Sequence, residues 1–385
     1  MTRPPLHVCI ATGQNLPNLI AALQFGATRV VILETPEMRE SAGWLQDALG
    51  GRGIACTRVP LDDATPQTLE AGAESIAETL DGQAVLLNVT GGTKLMALAL
   101  SERLRLLDTG PDAALHVLYV ETAKDRIDWL KPQAAMEPME DVLALRDILL
   151  AYGYRIRSDA SRGPWHDAAD DRQGLTLRLG DKADKLAGFF GALNERAQRA
   201  LRGGTFEPAQ RLAWTPHGLE AETLGLADGL GLLAWDKGAG IAFASVAAAE
   251  YFAGGWLEEY AMLKLKRHFD AGHWAAGLVA ETVRDKTENE FDALAAHRNR
   301  LLMIECKTAR LGRDRDKDSD YLYKLAQLAR RVGGILARPL FLSARDLDEA
   351  MRARARENGV DVLAAAEVRH LVDYVRRWKN PEAAR

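Results

Sequence analysis

The sequence predicts a two-domain α/β protein, with a parallel, Rossmann-like sheet in its N-terminal third and a second α/β domain in its C-terminal third. Strand-like and helix-like segments alternate over residues 6–131, a polar stretch follows, and the order then changes to helix, three strands, helix and strand. Alternation at this spacing is typical of a parallel sheet with helices on both faces. A chain of 385 residues is long enough for two or three separate cores.

Composition narrows the class of protein. Hydrophobic residues make up 47% and charged residues 27%, which is typical of a folded globular protein. No apolar run reaches the roughly 20 residues of a membrane span, and residues 1–5 lack the apolar core of a signal peptide, so we expect a cytoplasmic protein. Cys9, Cys56 and Cys306 lie in apolar, strand-like runs and are expected in the core. The net charge of −5 gives no overall sign of a nucleic-acid partner.

The N-terminal domain is predicted to span residues 1–140. Its predicted strands are 7–12, 29–34, 55–60, 84–90, 115–121 and 126–130, and its predicted helices are 16–24, 37–49, 67–80 and 93–107. Ligands of such sheets bind beyond the carboxyl ends of the strands. The loops after the first and fourth strands are therefore the candidate binding loops.

Both loops are rich in small and polar residues. The candidate ligand-binding residues are Thr12, Gly13, Gln14 and Asn15 in the first loop, and Thr90, Gly91, Gly92, Thr93 and Lys94 in the second. Glycines let the backbone approach a phosphate, a helix N-terminus favours an anion, and Lys94 adds a positive charge. Neither loop has the spacing of a Walker A loop or of a dinucleotide fingerprint. A phosphate-bearing ligand is predicted, and the alternative is a tight glycine turn with Thr93 as helix cap.

The middle of the chain is predicted to hold a linker at residues 141–180 and a small module at residues 181–250. Residues 158–173 mix Gly, Pro, Asp and Arg, which indicates a linker. Helical spacing at 186–200 and 219–226, followed by a hairpin-like stretch, favours a winged-helix-like module. The module is not notably basic, so a structural spacer is preferred over DNA binding.

The C-terminal domain, residues 251–385, is predicted to contain a metal site. Side chains alternate along a strand, so Asp292 shares a face with Glu290 on one predicted strand, and Glu305 shares a face with Lys307 on the next. Neighbouring strands lie about 4.8 Å apart, which lets Asp292 and Glu305 bind one Mn²⁺ or Mg²⁺ ion. Such an ion activates water for phosphodiester hydrolysis, with Lys307 orienting that water or neutralising charge. The alternative is an ion pair at a strand end.

The order of Asp292 and then Glu305–Cys306–Lys307 on consecutive strands resembles the PD-(D/E)xK nuclease superfamily. Asp292 follows Phe291, so the proline of the motif is absent. The Glu258–Glu259 pair in the preceding helix matches the acidic residue that many members contribute to the metal site. Consecutive helix residues differ by about 100°, so only one glutamate is expected to face Asp292, and Glu259 is the predicted catalytic and metal-binding residue. Further polar residues near the site are implied at Tyr323, Lys324 and Gln327.

With the two N-terminal loops, nearly the whole chain resembles the CARF-domain nucleases of type III CRISPR defence, which combine a CARF domain with a restriction-endonuclease-like α/β domain. The resemblance implies a homodimer that binds one cyclic oligoadenylate, cyclic tetraadenylate in particular, between residues 12–15 and 90–94 of its two copies. It further implies allosteric activation of two nuclease domains that cut DNA, RNA or both. Two alternatives remain. One is a ligand-sensing DNA-binding regulator with an inactive nuclease fold, and the other is a small-molecule nucleotide enzyme that acts at residues 90–94, for example by cleaving the cyclic activator itself.

Overall fold

A computed structural model gives the fold and describes residues 4–80, 82–106, 115–160, 164–309 and 315–380. Two large sheets, of seven and six strands, and one small three-stranded sheet form its frame. Within the described ranges, no helix has both the length and the apolarity of a membrane span.

The N-terminal domain is built on the seven-stranded sheet. Its elements are β1 (Leu6–Ile10), α1 (Leu16–Gln24), β2 (Arg29–Glu34), α2 (Arg39–Gly50), β3 (Ala55–Pro60), α3 (Pro66–Thr79), β4 (Val85–Asn88), α4 (Lys94–Leu106), β5 (Leu115–Glu121), β6 (Arg126–Lys131) and β7 (Ala135–Pro138). The first five strands pair in parallel, which confirms the predicted fold class, and β6 and β7 add an antiparallel edge. The sequence did not predict β7, because this strand is short and mostly exposed and so lacks an apolar pattern.

The strand order, β3-β2-β1-β4-β5-β6-β7, places β1 and β4 side by side in the sheet. Cys9 of β1 pairs with Asn88 of β4, so the two strands end at the same level. The chain runs outward in opposite directions from this pair, which opens a crevice beyond the carboxyl ends of the two strands. Both candidate loops therefore border one crevice.

The remaining chain forms the six-stranded and three-stranded sheets and their helices. Its elements are α5 (Leu145–Ala151), β8 (Tyr154–Asp159), α6 (Pro164–Asp181), α7 (Ala187–Ala200), β9 (Ala209–Arg211), α8 (Leu219–Gly229), β10 (Leu233–Trp235), β11 (Gly240–Phe243), α9 (Val246–Glu250), α10 (Trp256–Leu265), β12 (Trp274–Thr282), β13 (Glu288–His297), β14 (Arg300–Lys307), α11 (Arg315–Gly333), β15 (Ala337–Ser343), α12 (Glu349–Glu357), β16 (Asp361–Ala364) and α13 (Leu371–Lys379). The six-stranded order is β16-β15-β14-β13-β12-β8. β12, β13 and β14 form an antiparallel meander, and β15 and β16 continue in parallel, as the predicted order of elements requires.

The linker predicted at residues 141–180 is wrong, because α5, β8 and α6 occupy this region. β8 pairs with β12 at the edge of the six-stranded sheet, so the C-terminal domain uses strands from before residue 251. α6 packs closely on α10: a Cβ on Gly180 would lie 2.2 Å from the ring of Tyr260. The polar residues of α6 concealed its buried face, to which Leu175 and Leu179 belong.

The module predicted at residues 181–250 contains the two expected helices, α7 and α8, and the expected hairpin of β10 and β11. β9 adds a third antiparallel strand, giving the order β10-β11-β9. The residues between β11 and α10, which hold α9, lead directly into the helix that carries Glu258 and Glu259. The module therefore lies beside the candidate acidic site.

The two domains share one apolar core. Ile148 of α5 is buried in the same cluster as residues of the seven-stranded sheet and of one face of the six-stranded sheet. Asn299, in the turn between β13 and β14, accepts hydrogen bonds from the backbone N–H groups of Val142 and Leu143 at 3.0 and 3.1 Å. These contacts hold the N-terminal domain against the C-terminal sheet.

Candidate active site and ligand-binding loops

Asp292 and Glu305 lie next to each other on β13 and β14. Ala293 pairs with Ile304, so Asp292 and Glu305 are the next residues along the two strands. The Oδ2 atom of Asp292 accepts a hydrogen bond from the backbone N–H of Cys306 at 2.7 Å, which fixes its carboxylate. Glu305 forms an ion pair with Lys307. The structure brings the three predicted residues together, and the Glu–Lys pair that was the alternative interpretation is also present.

Negative charge is concentrated at this point of the sheet. Burial, together with the charges of Glu305 and Glu258, raises the pKa of Asp292 to about 8. Burial and the charge of Glu290 raise the pKa of Glu258. Burial alone would lower the pKa of Lys307, but the charge and hydrogen bond of Glu305 outweigh it and raise that pKa. Carboxylates that repel one another in this way are stabilised by a cation.

Glu258, rather than Glu259, faces the acidic site. Glu259 is fully buried on another side of α10, where its carboxylate accepts hydrogen bonds from Nε of Arg172 at 2.9 Å and from Oγ1 of Thr176 at 2.6 Å. The prediction of Glu259 as a catalytic and metal-binding residue is therefore wrong, because its carboxylate already has a cationic partner. Sequence reasoning missed this partner, since Arg172 lay in the region predicted as a linker.

The donor set suits a divalent cation, although it is not arranged as a ready site. Glu258, Asp292 and Glu305 offer carboxylate oxygens, the ligands that Mg²⁺ and Mn²⁺ prefer. Among the residues that the structure describes, no three His, Cys, Asp or Glu side chains converge closely enough to hold a metal ion. Glu305 contacts Lys307 instead. Metal binding at this site would need the carboxylates of Glu258, Asp292 and Glu305 to lie closer together than they do here.

The residues expected on the following helix are only partly near the site. The Nζ atom of Lys307 lies 5.9 Å from the ring centre of Tyr321 on α11. Tyr323 is about 200° further round the helix and 54% exposed, so it points away from Lys307. Lys324 lies about 60° from Tyr321 around the helix axis, and so on nearly the same side of α11. Gln327 is half-buried. Tyr321 is the aromatic residue that the sequence pattern did not single out.

The two candidate loops are tied together in the crevice between β1 and β4. Asn88 donates from Nδ2 to Oδ1 of Asn18 at 3.1 Å, and its own Oδ1 accepts from the backbone N–H of Thr90 at 3.0 Å. Gly91 packs on β1, where a Cβ would lie 2.3 Å from the carbonyl oxygen of Ile10. Only glycine fits this close approach, so Gly91 sets the distance between the loops. Asn18 and Asn88 were not among the predicted ligand-binding residues, and both lie within regular elements.

The second loop exposes Gly92, Thr93 and Lys94 at the start of α4. Gly92 has a φ of +77°, and Oγ1 of Thr93 accepts a hydrogen bond from the backbone N–H of Met96 at 3.3 Å. The tight turn with a threonine cap, which was the alternative interpretation, is therefore present. It leaves Lys94 exposed beside a helix N-terminus, so it is compatible with an anion site.

Gln14 and Asn15 make contacts within the protein. Asn15 is fully buried and donates from Nδ2 to the backbone oxygen of Ser41 at 2.8 Å, so its side chain holds the loop in place. It does not face a ligand, which is contrary to the prediction for this residue. The Oε1 atom of Gln14 accepts from the Tyr152 hydroxyl at 3.0 Å and from the backbone N–H of Ile335 at 3.1 Å. Gln14 thus joins the first loop to the turn that follows α11. Thr12 and Gly13 remain at the crevice, half-buried and exposed respectively.

Family models match both domains. Residues 6–148 match the Card1 CARF domain, and residues 246–382 match the Card1-like endonuclease domain. The chain is a CARF endonuclease of the Card1 type. The CARF match includes both crevice loops, and the endonuclease match includes Glu258, Asp292, Glu305 and Lys307. No curated protein matches the sequence.

Solved structures share the fold over nearly the full length of this CARF endonuclease. Can2 from Sulfobacillus thermosulfidooxidans, solved in complex with cyclic tetra-adenylate, is 24% identical with a TM-score of 0.77, over 98% of this chain and 97% of that chain. Protein VC1899 from Vibrio cholerae is 20% identical with a TM-score of 0.82, over 97% of each chain. A type III CRISPR defence DNA nuclease activated by cyclic oligoadenylate is 21% identical with a TM-score of 0.50, over 90% of this chain and 46% of that chain.

The acidic site is expected to destabilise the metal-free protein. Folded Asp292, with a pKa of about 8, keeps a proton that the unfolded chain releases above about pH 4, so this residue costs stability increasingly as the pH rises from about 4 to about 8. Asp292→Asn keeps an acceptor for the Cys306 N–H and removes the charge. In EDTA it should raise the melting temperature near pH 8 by at least about 2–4 °C, the shift produced by 1 kcal/mol in a domain of this size.

Thermal unfolding of both proteins in EDTA across this pH range is the measurement. The advantage of the Asn variant should shrink toward pH 4 and vanish below it, where the wild-type carboxyl is protonated in both the folded and the unfolded state. An Asn variant that melts at a lower temperature than the wild type at pH 8 would contradict a cost of burying the charged Asp292 beside Glu305 and Glu258.

Proposed function

We propose that this CARF endonuclease is a divalent-metal-dependent phosphodiesterase that cyclic tetraadenylate activates in type III CRISPR antiviral defence. The observation that carries the proposal is the cluster of Glu258, Asp292 and Glu305 around Lys307, on the same chain as an exposed glycine-lysine loop at the crevice of a parallel sheet. The proposed substrates are DNA, RNA or both. The fold likeness to Can2, which was solved with this cyclic nucleotide, supports the choice of activator.

In this proposal the carboxylates of Asp292, Glu305 and Glu258 hold the ion. When bound, Mn²⁺ or Mg²⁺ supplies a Lewis acid for the scissile phosphate and lowers the pKa of a coordinated water. The Cys306 N–H keeps the Asp292 carboxylate in one orientation. Lys307, once released from Glu305, donates to the attacking water or to a phosphate oxygen and offsets the negative charge that builds up there.

A comparison of metal ions tests this part of the proposal. With cyclic tetraadenylate present, cleavage should require Mn²⁺ or Mg²⁺ and stop in EDTA, and added Mn²⁺ should restore it. Ca²⁺ is the matched control, because it is larger and coordinates more loosely while also binding to carboxylates. Cleavage at an unchanged rate in EDTA would contradict a metal-dependent reaction.

The activator is proposed to bind in the crevice, against Gly13 of the first loop and Gly92–Lys94 of the second. Exposed backbone N–H groups at a helix N-terminus and the Lys94 ammonium suit phosphate groups. Gln14 connects the activator loop to the nuclease domain, because its side chain accepts a hydrogen bond from the turn between α11 and β15. β15 pairs with β14, the strand that carries Glu305 and Lys307. A ligand that moves the first loop would therefore act on the acidic site through one strand.

We further propose that the protein is a homodimer formed through α4. Leu95, Leu98 and Leu106 of this helix are 62%, 65% and 55% exposed. Their spacing places them on one side of α4, and grouped apolar side chains on a surface mark interaction sites. Pairing of two copies here would bring the two Lys94 loops together, with a cyclic ligand between them.

Introducing charge on this helix should break the dimer. The double variant Leu95→Glu/Leu98→Glu is expected to elute as a monomer in size-exclusion chromatography with light scattering, because two carboxylates would be buried on each side of the interface. It should also lose activation by the cyclic nucleotide. Leu226→Glu on α8 is the control, since this leucine is also exposed, at 44%, but lies in the middle module. A dimeric double variant would contradict the α4 interface.

A further inference from the structure

A cavity of about 670 Å³ lies between the middle module and the acidic site. The residues that line it include Glu258 and Glu290, Arg172 of α6, Tyr251, and Ser245 of the middle module. The cavity therefore adjoins the carboxylate cluster and is large enough for part of a nucleic-acid strand.

The charged side chains that line this cavity are acidic with one exception. Glu250, Glu258 and Glu290 contribute carboxylates, whereas Arg172 is the basic residue among the described residues that line it. A nucleic-acid strand carries one negative charge per nucleotide. A metal ion beside Glu258 would neutralise the charge of one phosphate and leave the neighbouring phosphates of the strand without a cation. Arg172 is placed to match one of them.

The Arg172 side chain is held in one orientation. Its Nε donates to Oε2 of Glu259 at 2.9 Å, and its guanidinium carbon lies 5.0 Å from the ring centre of Tyr251. Thr176 contacts both partners, donating to Oε1 of Glu259 at 2.6 Å and lying 2.8 Å from the Tyr251 hydroxyl. The Arg172 side chain is 14% exposed. A side chain fixed in this way loses little freedom on binding.

The Arg172 guanidinium contacts Glu259 through one of its edges. Nε and Nη2 of Arg172 are used by Glu259, and no acceptor among the described residues takes a hydrogen bond from Nη1. Arginine has five N–H donors in a fixed plane that matches phosphate oxygens. Glu258 and Glu259 are consecutive residues, so the turn of α10 that directs one carboxylate to the acidic site directs the other to Arg172.

We propose that Arg172 is a substrate-binding residue of the nuclease, whose Nη1 edge binds a backbone phosphate next to the scissile one, and that Glu259 positions it. This inference rests on the proposed nuclease reaction at Asp292 and Glu305. A phosphate held at Arg172 fixes the strand on the side of the middle module. The module thereby becomes one wall of the substrate groove.

The decisive variant is the double replacement Arg172→Gln/Glu259→Gln, because removal of Arg172 alone would leave Glu259 buried without its partner. Its melting temperature should remain close to that of the wild type. With cyclic tetraadenylate and Mn²⁺ present, its KM for single-stranded DNA should rise about 10- to 100-fold, the loss expected for one charge-assisted hydrogen bond, while kcat changes much less. The slope of log KM against log salt should fall by about 0.7, the contribution of one phosphate in a single strand.

Two matched variants separate substrate binding from a purely structural role. Glu259→Gln retains the Arg172 cation and should keep most of the salt slope. Lys266→Gln removes a different ion pair, between Lys266 just after α10 and Asp170 of α6 at 2.7 Å, and should leave KM within about two-fold. Wild-type KM and salt slope in the folded double variant would overturn the proposal, as would an equal loss of slope in Glu259→Gln.

Binding without turnover keeps this test independent of the cleavage reaction. Fluorescein-labelled single-stranded DNA is titrated with the Glu305→Gln protein, with and without the Arg172→Gln/Glu259→Gln changes, in the presence of Mn²⁺ and cyclic tetraadenylate. A weaker Kd and a smaller salt slope in the combined variant support the role of Arg172. Equal affinity overturns it. Undiminished cleavage by the Glu305→Gln protein would instead contradict the proposed function.

Discussion

Replacement of Glu305 by alanine should abolish cleavage and leave the protein folded. Glu305 is half-buried at the end of β14, so the change removes a proposed metal ligand and the partner of Lys307 without opening a cavity in the core. Loss of a residue that only hydrogen-bonds a metal ligand typically lowers metal affinity or activity by about 10- to 100-fold. Loss of a ligand itself should therefore lower kcat/KM by at least about 100-fold. Initial rates of single-stranded DNA cleavage in Mn²⁺ with cyclic tetraadenylate are the measurement.

Glu288→Gln is the control for this variant. Glu288 lies on β13, two residues before Glu290, and its side chain is exposed at the end of the strand. Its replacement removes one carboxylate from the same part of the sheet and should leave the rate within about two-fold. Cleavage at the wild-type rate by Glu305→Ala would contradict the assignment of Glu305 as a metal-binding catalytic residue.

Replacement of Lys94 by alanine should weaken binding of the activator and leave the acidic site intact. Lys94 is exposed at the first turn of α4, so its ammonium is free to bind a phosphate. Loss of one charge-assisted hydrogen bond corresponds to about a 10- to 100-fold increase in Kd. Isothermal titration with cyclic tetraadenylate measures this change, and half-maximal activation of cleavage should shift by the same factor.

The rate at saturating activator should recover in Lys94→Ala, because the acidic residues are unchanged. Arg103→Ala is the control on the same helix: Arg103 lies more than two turns away and pairs with Glu70 at 3.3 Å. An unchanged Kd in Lys94→Ala would contradict a role of Lys94 in activator binding and would favour the interpretation of the second loop as a structural turn.

The sequence predicted those features that depend on periodicity. Four of the five parallel strands of the N-terminal sheet are mainly apolar runs, and the period of two along β13 and β14 placed Asp292 beside Glu305. β7 and β8 were missed, since both are largely exposed edge strands without apolar alternation. α6 was missed because its many polar residues concealed a few buried leucines.

Side-chain partners could not be predicted in the same way. The choice between Glu258 and Glu259 depends on which side of α10 faces a cation, and that cation, Arg172, is 87 residues away in the chain. Gln14 looked like a ligand-binding amide because its loop is polar, yet its partner Ile335 lies 321 residues further on. Long-range hydrogen bonds leave no local pattern, so the structure was needed to assign these residues.

Activator-dependent cleavage tests most directly whether the CARF domain controls a nuclease site at Asp292 and Glu305. Single-stranded RNA, single-stranded DNA and supercoiled plasmid are incubated with the full-length protein and Mn²⁺, with and without cyclic tetraadenylate. We predict cleavage of at least one of these substrates only when the cyclic nucleotide is present, and none by Glu305→Ala under either condition. Cleavage at equal rates with and without the cyclic nucleotide would contradict an activator site in the CARF domain, and no cleavage of any substrate would contradict the proposed catalytic site.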